Sequence, residues 1–244
     1  MREPNLLAVT EQAAARLDRG RTIDEAIAVP IDWSAAVAES AAALQPLVAG
    51  TVDVVLDDRL VRYFVVTPPE GTASLDELRS VATVRLGELF GSDPRGYEIA
   101  ADWRASGPFL CCAVPRALKV ALAQATQGSR GSVASMVPLF VRVANSLSAA
   151  RSHAGWIVVR AAGWITAANV ERGAIRVIRS GTLDSKRPLS PWLAQLALTC
   201  GQPVGTPLVL DSDQPQDLPA AWHVLPADRR DLGLLAALNT AEAV

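Results

Sequence analysis

The first part of the chain contains short runs that are either apolar or alternate between apolar and polar positions, as β-strands do. Three short runs have this character: Leu6–Val9, Ala13–Leu17 and Ile23–Ile31. The polar stretch Asp18-Arg-Gly-Arg21 has the composition of a hairpin turn, although Ala13–Ala15 also suits a helix. An Ala-rich segment with helical periodicity follows over residues 32–47, with Asp32 or Ser34 as its N-cap. The pattern therefore predicts three strands and then a helix.

The middle of the chain predicts a further group of strands and helices. Predicted strands occupy 52–56, 60–66, 98–105, 109–114 and 132–139, and predicted helices occupy 75–90, 115–126 and 140–150. The helix at 75–90 has a clear start, because Ser74 and Glu77 stand three residues apart in the arrangement of a capping box. Pro115 opens the next helix at a position where its missing N–H costs no hydrogen bond. Both starts are therefore marked by local signals.

The segment from Trp156 to Arg179 predicts three more strands joined by tight turns. The remaining predicted elements are a helix over 188–200, strands at 206–210 and 222–225, and an amphipathic helix at 228–238. Three strands followed by a helix thus occur twice, at 6–47 and again at 156–200. This repeated β-β-β-α order resembles the two-lobed proteins of the actin and sugar-kinase superfamily.

Composition narrows the classes of function. The chain has 244 residues with 23 basic and 25 acidic side chains, a net charge of -2, so it has no broad basic surface for nucleic acid. No apolar run reaches the ~20 residues needed to cross a bilayer, and the first residues do not have the pattern of a signal peptide. We therefore expect a cytoplasmic protein that does not insert into the membrane.

Several polar groups could have a chemical role, but for each of them we favour a structural explanation. The three cysteines, Cys111, Cys112 and Cys200, are expected to be buried small side chains in a reducing compartment. The segment Gly128-Ser-Arg-Gly-Ser132 lacks the Lys-Ser/Thr of a phosphate loop and lies between a helix and a strand, so we interpret it as a turn.

The histidines and acidic pairs have the same two interpretations. His153 is expected in a solvated connection and His223 on a half-buried strand, and no Gly-x-Ser-x-Gly elbow accompanies them. The pairs Asp57-Asp58 and Asp211 with Asp213 could bind a metal in principle, but no Cys or His lies at ligand spacing, and turn chemistry explains them better. We therefore predict no catalytic, cofactor-binding or metal-binding residue.

Five segments carry a resemblance to one family. They are the helix at 75–90 before a strand pair; Cys112–Ala125, an apolar strand, a proline and a long helix; Ser132–Ala144; the β-hairpin region that opens with Trp156; and Asp231–Leu238. In this order they resemble PilM-type pilus assembly proteins and GspL-type secretion proteins. The resemblance implies a mixed α/β, actin-like (ribonuclease H-like) fold with two lobes and duplicated β-β-β-α units. The first lobe would span 1–150 with a small α+β subdomain inserted at about 57–115, and a reduced second lobe would span 151–244.

The chain departs from actin-like ATPases where they hold phosphate. Such enzymes use two Gly-rich hairpin turns, each with an Asp that orients metal and water. Here the first turn is Thr10-Glu-Gln12, without Gly or Asp, and the second is Arg160-Ala-Ala-Gly-Trp164, with Arg in place of Asp. A third, Gly-Gly turn would fall near Leu210–Asp213, where no Gly pair occurs. These departures predict a pseudo-ATPase that binds no cofactor.

The resemblance implies a function and leaves two alternatives open. The expected function is a non-catalytic cytoplasmic scaffold of a type IV pilus or type II secretion-like assembly, peripheral at the inner membrane through its partners. Its partners would be the cytoplasmic tail of an inner-membrane component and, further, a motor ATPase; the sequence does not identify the binding residues. One alternative is a divergent ATPase or small-molecule kinase that uses Glu11, Asp211 or Asp213. The other is an unrelated α+β binding module.

Overall fold

The computed structural model describes residues 5–33, 35–72, 74–146, 154–161, 163–183, 188–211 and 218–224. Thirteen strands lie in these ranges: β1 Asn5–Val9, β2 Ala13–Leu17, β3 Ile27–Pro30, β4 Thr51–Leu56, β5 Arg62–Val66, β6 Tyr97–Ala101, β7 Phe109–Pro115, β8 Ser132–Pro138, β9 Gly155–Ala161, β10 Trp164–Glu171, β11 Ala174–Thr182, β12 Leu208–Asp211 and β13 His223–Val224. The five α-helices of the same ranges are α1 Val37–Leu44, α2 Leu75–Phe90, α3 Arg116–Gly128, α4 Leu139–Ser146 and α5 Leu189–Thr199.

Two five-stranded sheets share one topology. The first has the strand order β3-β2-β1-β4-β8 and the second the order β11-β10-β9-β12-β13. In the first, β1 pairs antiparallel with β2 and parallel with β4. In the second, β9 pairs antiparallel with β10 and parallel with β12. The duplicated β-β-β-α units predicted from the sequence are therefore confirmed.

Contacts divide the chain into two compact units. Of the described residues, those within 5–61 and 115–142 form one unit, and those within 62–114 and 143–224 form the other. In the first unit α1 packs on α3, with Leu44 of α1 and Leu118 and Leu122 of α3 buried. The predicted boundary between residues 150 and 151 and the predicted helix at 228–238 lie outside the described residues.

The second unit has two cores. Helix α5 covers the second five-stranded sheet, where Trp156, Ile165 and Leu193 are fully buried. Helix α2 covers the separate three-stranded sheet of order β5-β7-β6, with Leu78, Ala82 and Leu86 facing Phe64 and Cys111 across the interface, and these five side chains are all buried. This sheet and α2 form the inserted α+β subdomain, and its strand β5 lies beside β11.

Local sequence signals predicted the start of α2 correctly and the start of α1 wrongly. The α2 capping box is present as predicted: the Ser74 hydroxyl accepts from the Glu77 N–H at 3.2 Å, and the Glu77 carboxylate accepts from the Ser74 N–H at 3.0 Å. The predicted Asp32 cap is wrong, because α1 begins only after Ala36, which provides no side-chain cap. The Asp32 carbonyl instead accepts from the Ser40 hydroxyl at 3.0 Å. Ser34 lies outside the described residues.

Two further predictions need correction. The strand expected over 23–31 begins only at Ile27, because Thr22 and Glu25 form a capping box around a 3-10 turn. The strand expected over 98–105 ends at Ala101. The strands predicted at 52–56 and 60–66 are present on either side of their turn, and they belong to different sheets: β4 pairs with β1 and β8, and β5 with β7.

The segment between α3 and β8 is a turn, as predicted, and its geometry requires glycine. A Cβ atom on Gly131 would lie 1.6 Å from the carbonyl oxygen of Val48. The backbone passes this close because the Ser132 N–H donates to the Gly50 carbonyl at 2.8 Å and starts the pairing of β8. The glycine is therefore explained by close packing of two backbones rather than by a phosphate.

The cysteines have the structural role that composition predicted. Cys111 and Cys112 are buried in β7, Cys200 is half-buried, and none of the three forms a disulfide. Burial raises the pKa of the Cys111 thiol to about 12. This thiol therefore stays protonated, and unreactive as a nucleophile, near neutral pH.

Candidate functional site

The first candidate phosphate turn, between β1 and β2, is closed by the side chain of its first residue. Thr10 is fully buried, and its hydroxyl accepts from the Ala13 N–H at 3.0 Å and from the Gln12 N–H at 3.3 Å. The same hydroxyl donates to the Ala13 carbonyl at 3.1 Å. Backbone N–H groups that point outward are what cradle a phosphate. In this turn two of them are already hydrogen-bonded to Thr10.

The carbonyl groups of this turn are engaged as well. The Trp33 indole N–H donates to the Thr10 carbonyl at 3.0 Å, and the Ile31 N–H donates to the Gln12 carbonyl at 2.6 Å. Both donors follow β3, so the segment after the third strand folds back over the turn. Glu11 remains exposed at the tip. The turn is therefore held by its own side chain and by the chain that follows β3.

The acidic pair after β4 lies beside this turn and holds structure together. The Asp57 N–H donates to the Val9 carbonyl at 2.8 Å, which places the pair at the same end of the sheet as Thr10. The Asp57 carboxylate accepts from the Arg59 N–H at 2.9 Å in a local turn. The Asp58 carboxylate is buried and accepts from the Phe140 N–H, at the start of α4, at 3.0 Å. Asp58 thus caps a helix 82 residues away in sequence.

The second candidate turn, between β9 and β10, carries a buried cation. Arg160 is 4% exposed and lies in register with Ile165 on β10 and with Asp211 on β12. Gly163 takes the left-handed conformation that closes the turn, with φ at 72°, and its carbonyl accepts from the Leu183 N–H at 2.8 Å. The structure thus places the backbones of Arg160 and Asp211 next to each other on neighbouring strands.

The remaining predicted sites are partly described. Leu210 and Asp211 end β12, while Asp213 and His153 lie outside the described residues. His223 is exposed on β13 rather than half-buried as predicted, since this strand has only two residues. Among the described residues no three His, Cys, Asp or Glu side chains are grouped so as to hold a metal ion.

A surface depression of about 510 Å³ lies between the β5–α2 connection and the first turns of α2. Its described lining includes Glu70, Asp76 and Glu77 and contains no Lys or Arg. Three carboxylates would repel the phosphates of a nucleotide. The depression therefore does not suit a triphosphate.

Two structural roles were missed from the sequence. The closure of the turn by Thr10 had a local signal, because a Thr at the start of a short polar loop favours hydroxyl-to-backbone bonding. The cap that Asp58 provides had none, because its partner Phe140 is remote in sequence.

Within the described ranges, no helix is both long and apolar enough to span a membrane. No protein-family model matches the sequence. No curated protein matches it significantly either.

Three solved structures are similar to this one over nearly its whole length. The cytoplasmic domain of EpsL, an inner membrane component of the type II secretion system of Vibrio cholerae, aligns with a TM-score of 0.56 and 12% identity, over 98% of this chain and 94% of that one. The PilM-PilN type IV pilus biogenesis complex aligns at 0.55 and 11%, over 98% and 85%. A Bacteroides thetaiotaomicron protein with an actin-like ATPase fold aligns at 0.51 and 7%, over 96% and 95%. These likenesses establish the actin-like fold predicted from the sequence.

Replacing the Thr10 hydroxyl tests the closure of the first turn. We expect Thr10→Val, which keeps the shape of the side chain, to lower the free energy of unfolding by about 1–3 kcal/mol, because the Gln12 and Ala13 N–H groups lose their acceptor. Urea denaturation monitored by circular dichroism measures this. Thr83→Val is the matched control, since its exposed hydroxyl bonds only the Arg79 carbonyl of the same helix, and it should change stability by less than about 0.5 kcal/mol. Equal effects of the two substitutions would contradict the closure.

Proposed function

We propose that this chain is a non-catalytic docking protein of a type IV pilus or type II secretion-like assembly. It binds the cytoplasmic tail of an inner-membrane component and reaches the cytoplasmic face of the membrane through that partner. The observation that carries the proposal is the similarity in fold, over 98% of the chain, to the EpsL cytoplasmic domain and to PilM in its complex with PilN. Fold alone does not assign function, so the polar groups of the sheet ends must support it.

The first turn supports the absence of catalysis. A phosphate-binding turn needs free N–H donors and a close approach of backbone to ligand. Here the Thr10 hydroxyl accepts from the Gln12 and Ala13 N–H groups, and the Trp33 indole donates to the Thr10 carbonyl. A phosphate that accepted from the Gln12 and Ala13 N–H groups would have to displace the Thr10 hydroxyl from them. The closed turn therefore disfavours phosphate binding.

The second turn supports the same conclusion through charge. An actin-like ATPase places a carboxylate at the end of its first strand to hold Mg²⁺ through oxygen. Arg160 stands at that end of β9 and is buried. The positive guanidinium repels a divalent cation at this position.

The proposed partner is the cytoplasmic tail of an inner-membrane component, which would bind as a short extended segment. Tails of this kind bind through main-chain pairing at a sheet edge combined with side-chain pockets. The two relatives named above are themselves an inner membrane component and a member of a pilus biogenesis complex. A docking role therefore suits a fold whose phosphate turns are closed.

Titration with ATP and Mg²⁺ tests the proposed absence of catalysis. We expect neither binding by isothermal titration calorimetry at ~1 mM nucleotide nor phosphate release, for the wild type and for Glu11→Ala alike, because the turn donors are engaged. Glu70→Ala serves as the control for loss of an exposed carboxylate. Turnover that is present in the wild type and in Glu70→Ala but lost in Glu11→Ala would instead establish the divergent ATPase or kinase.

Peptide binding tests the proposed docking role. We expect saturable binding of the cytoplasmic tail of an inner-membrane assembly protein encoded beside this chain, measured by fluorescence anisotropy, with an affinity in the micromolar range of about 1–100 µM typical of short peptides. A scrambled peptide of the same composition is the control. Tails that bind no better than their scrambled versions would contradict the docking role.

A further inference from the structure

We draw no further inference here: the strongest candidate, the surface depression at the start of α2 with Glu70, Asp76 and Glu77 in its described lining, identifies no ligand, because Asp76 already pairs with Arg79, Glu77 already accepts from the Ser74 N–H, and no other feature of the described residues there points to what an acidic cluster of this kind would bind.

Discussion

The structure depends on a central strand that pairs antiparallel on one side and parallel on the other. In the first sheet this strand is β1, between β2 and β4, and in the second it is β9, between β10 and β12. The antiparallel neighbour requires a tight turn at the end of the central strand, and the parallel neighbour must end there as well. Each sheet therefore gathers a turn and a strand end at one place, where polar side chains meet.

In this chain, polar groups at the strand ends form hydrogen bonds within the protein and stabilise the fold. Thr10 and Trp33 satisfy the backbone of the first turn, and Asp58 satisfies the Phe140 N–H in the first turn of α4. Buried polar groups need such partners, whether from the protein or from a ligand. Where the partners are internal, a ligand has to displace them. The actin-like fold and the proposed loss of nucleotide chemistry are therefore compatible, since the same sheet ends serve packing.

The sequence predicted what local patterns determine. The helix α2 was predicted over its observed range because Ser74 and Glu77 cap it from adjacent positions. The repeated strands at 156–179 were predicted because alternation and turns are local too. The predicted start of α1 was wrong: the helix begins only after Ala36, which provides no side-chain cap. The separation of β4 and β5 into two sheets and the cap from Asp58 to Phe140 depend on pairing between distant segments, which alternation does not encode.

The most direct test of this account is amide hydrogen exchange at Gln12 and Ala13, followed by NMR with and without ATP and Mg²⁺. Because both N–H groups donate to the Thr10 hydroxyl, we predict slowed exchange in the protein alone and no change when nucleotide is added. Fast exchange in the protein alone, with protection that appears only on adding ATP, would show an open phosphate turn and contradict the account.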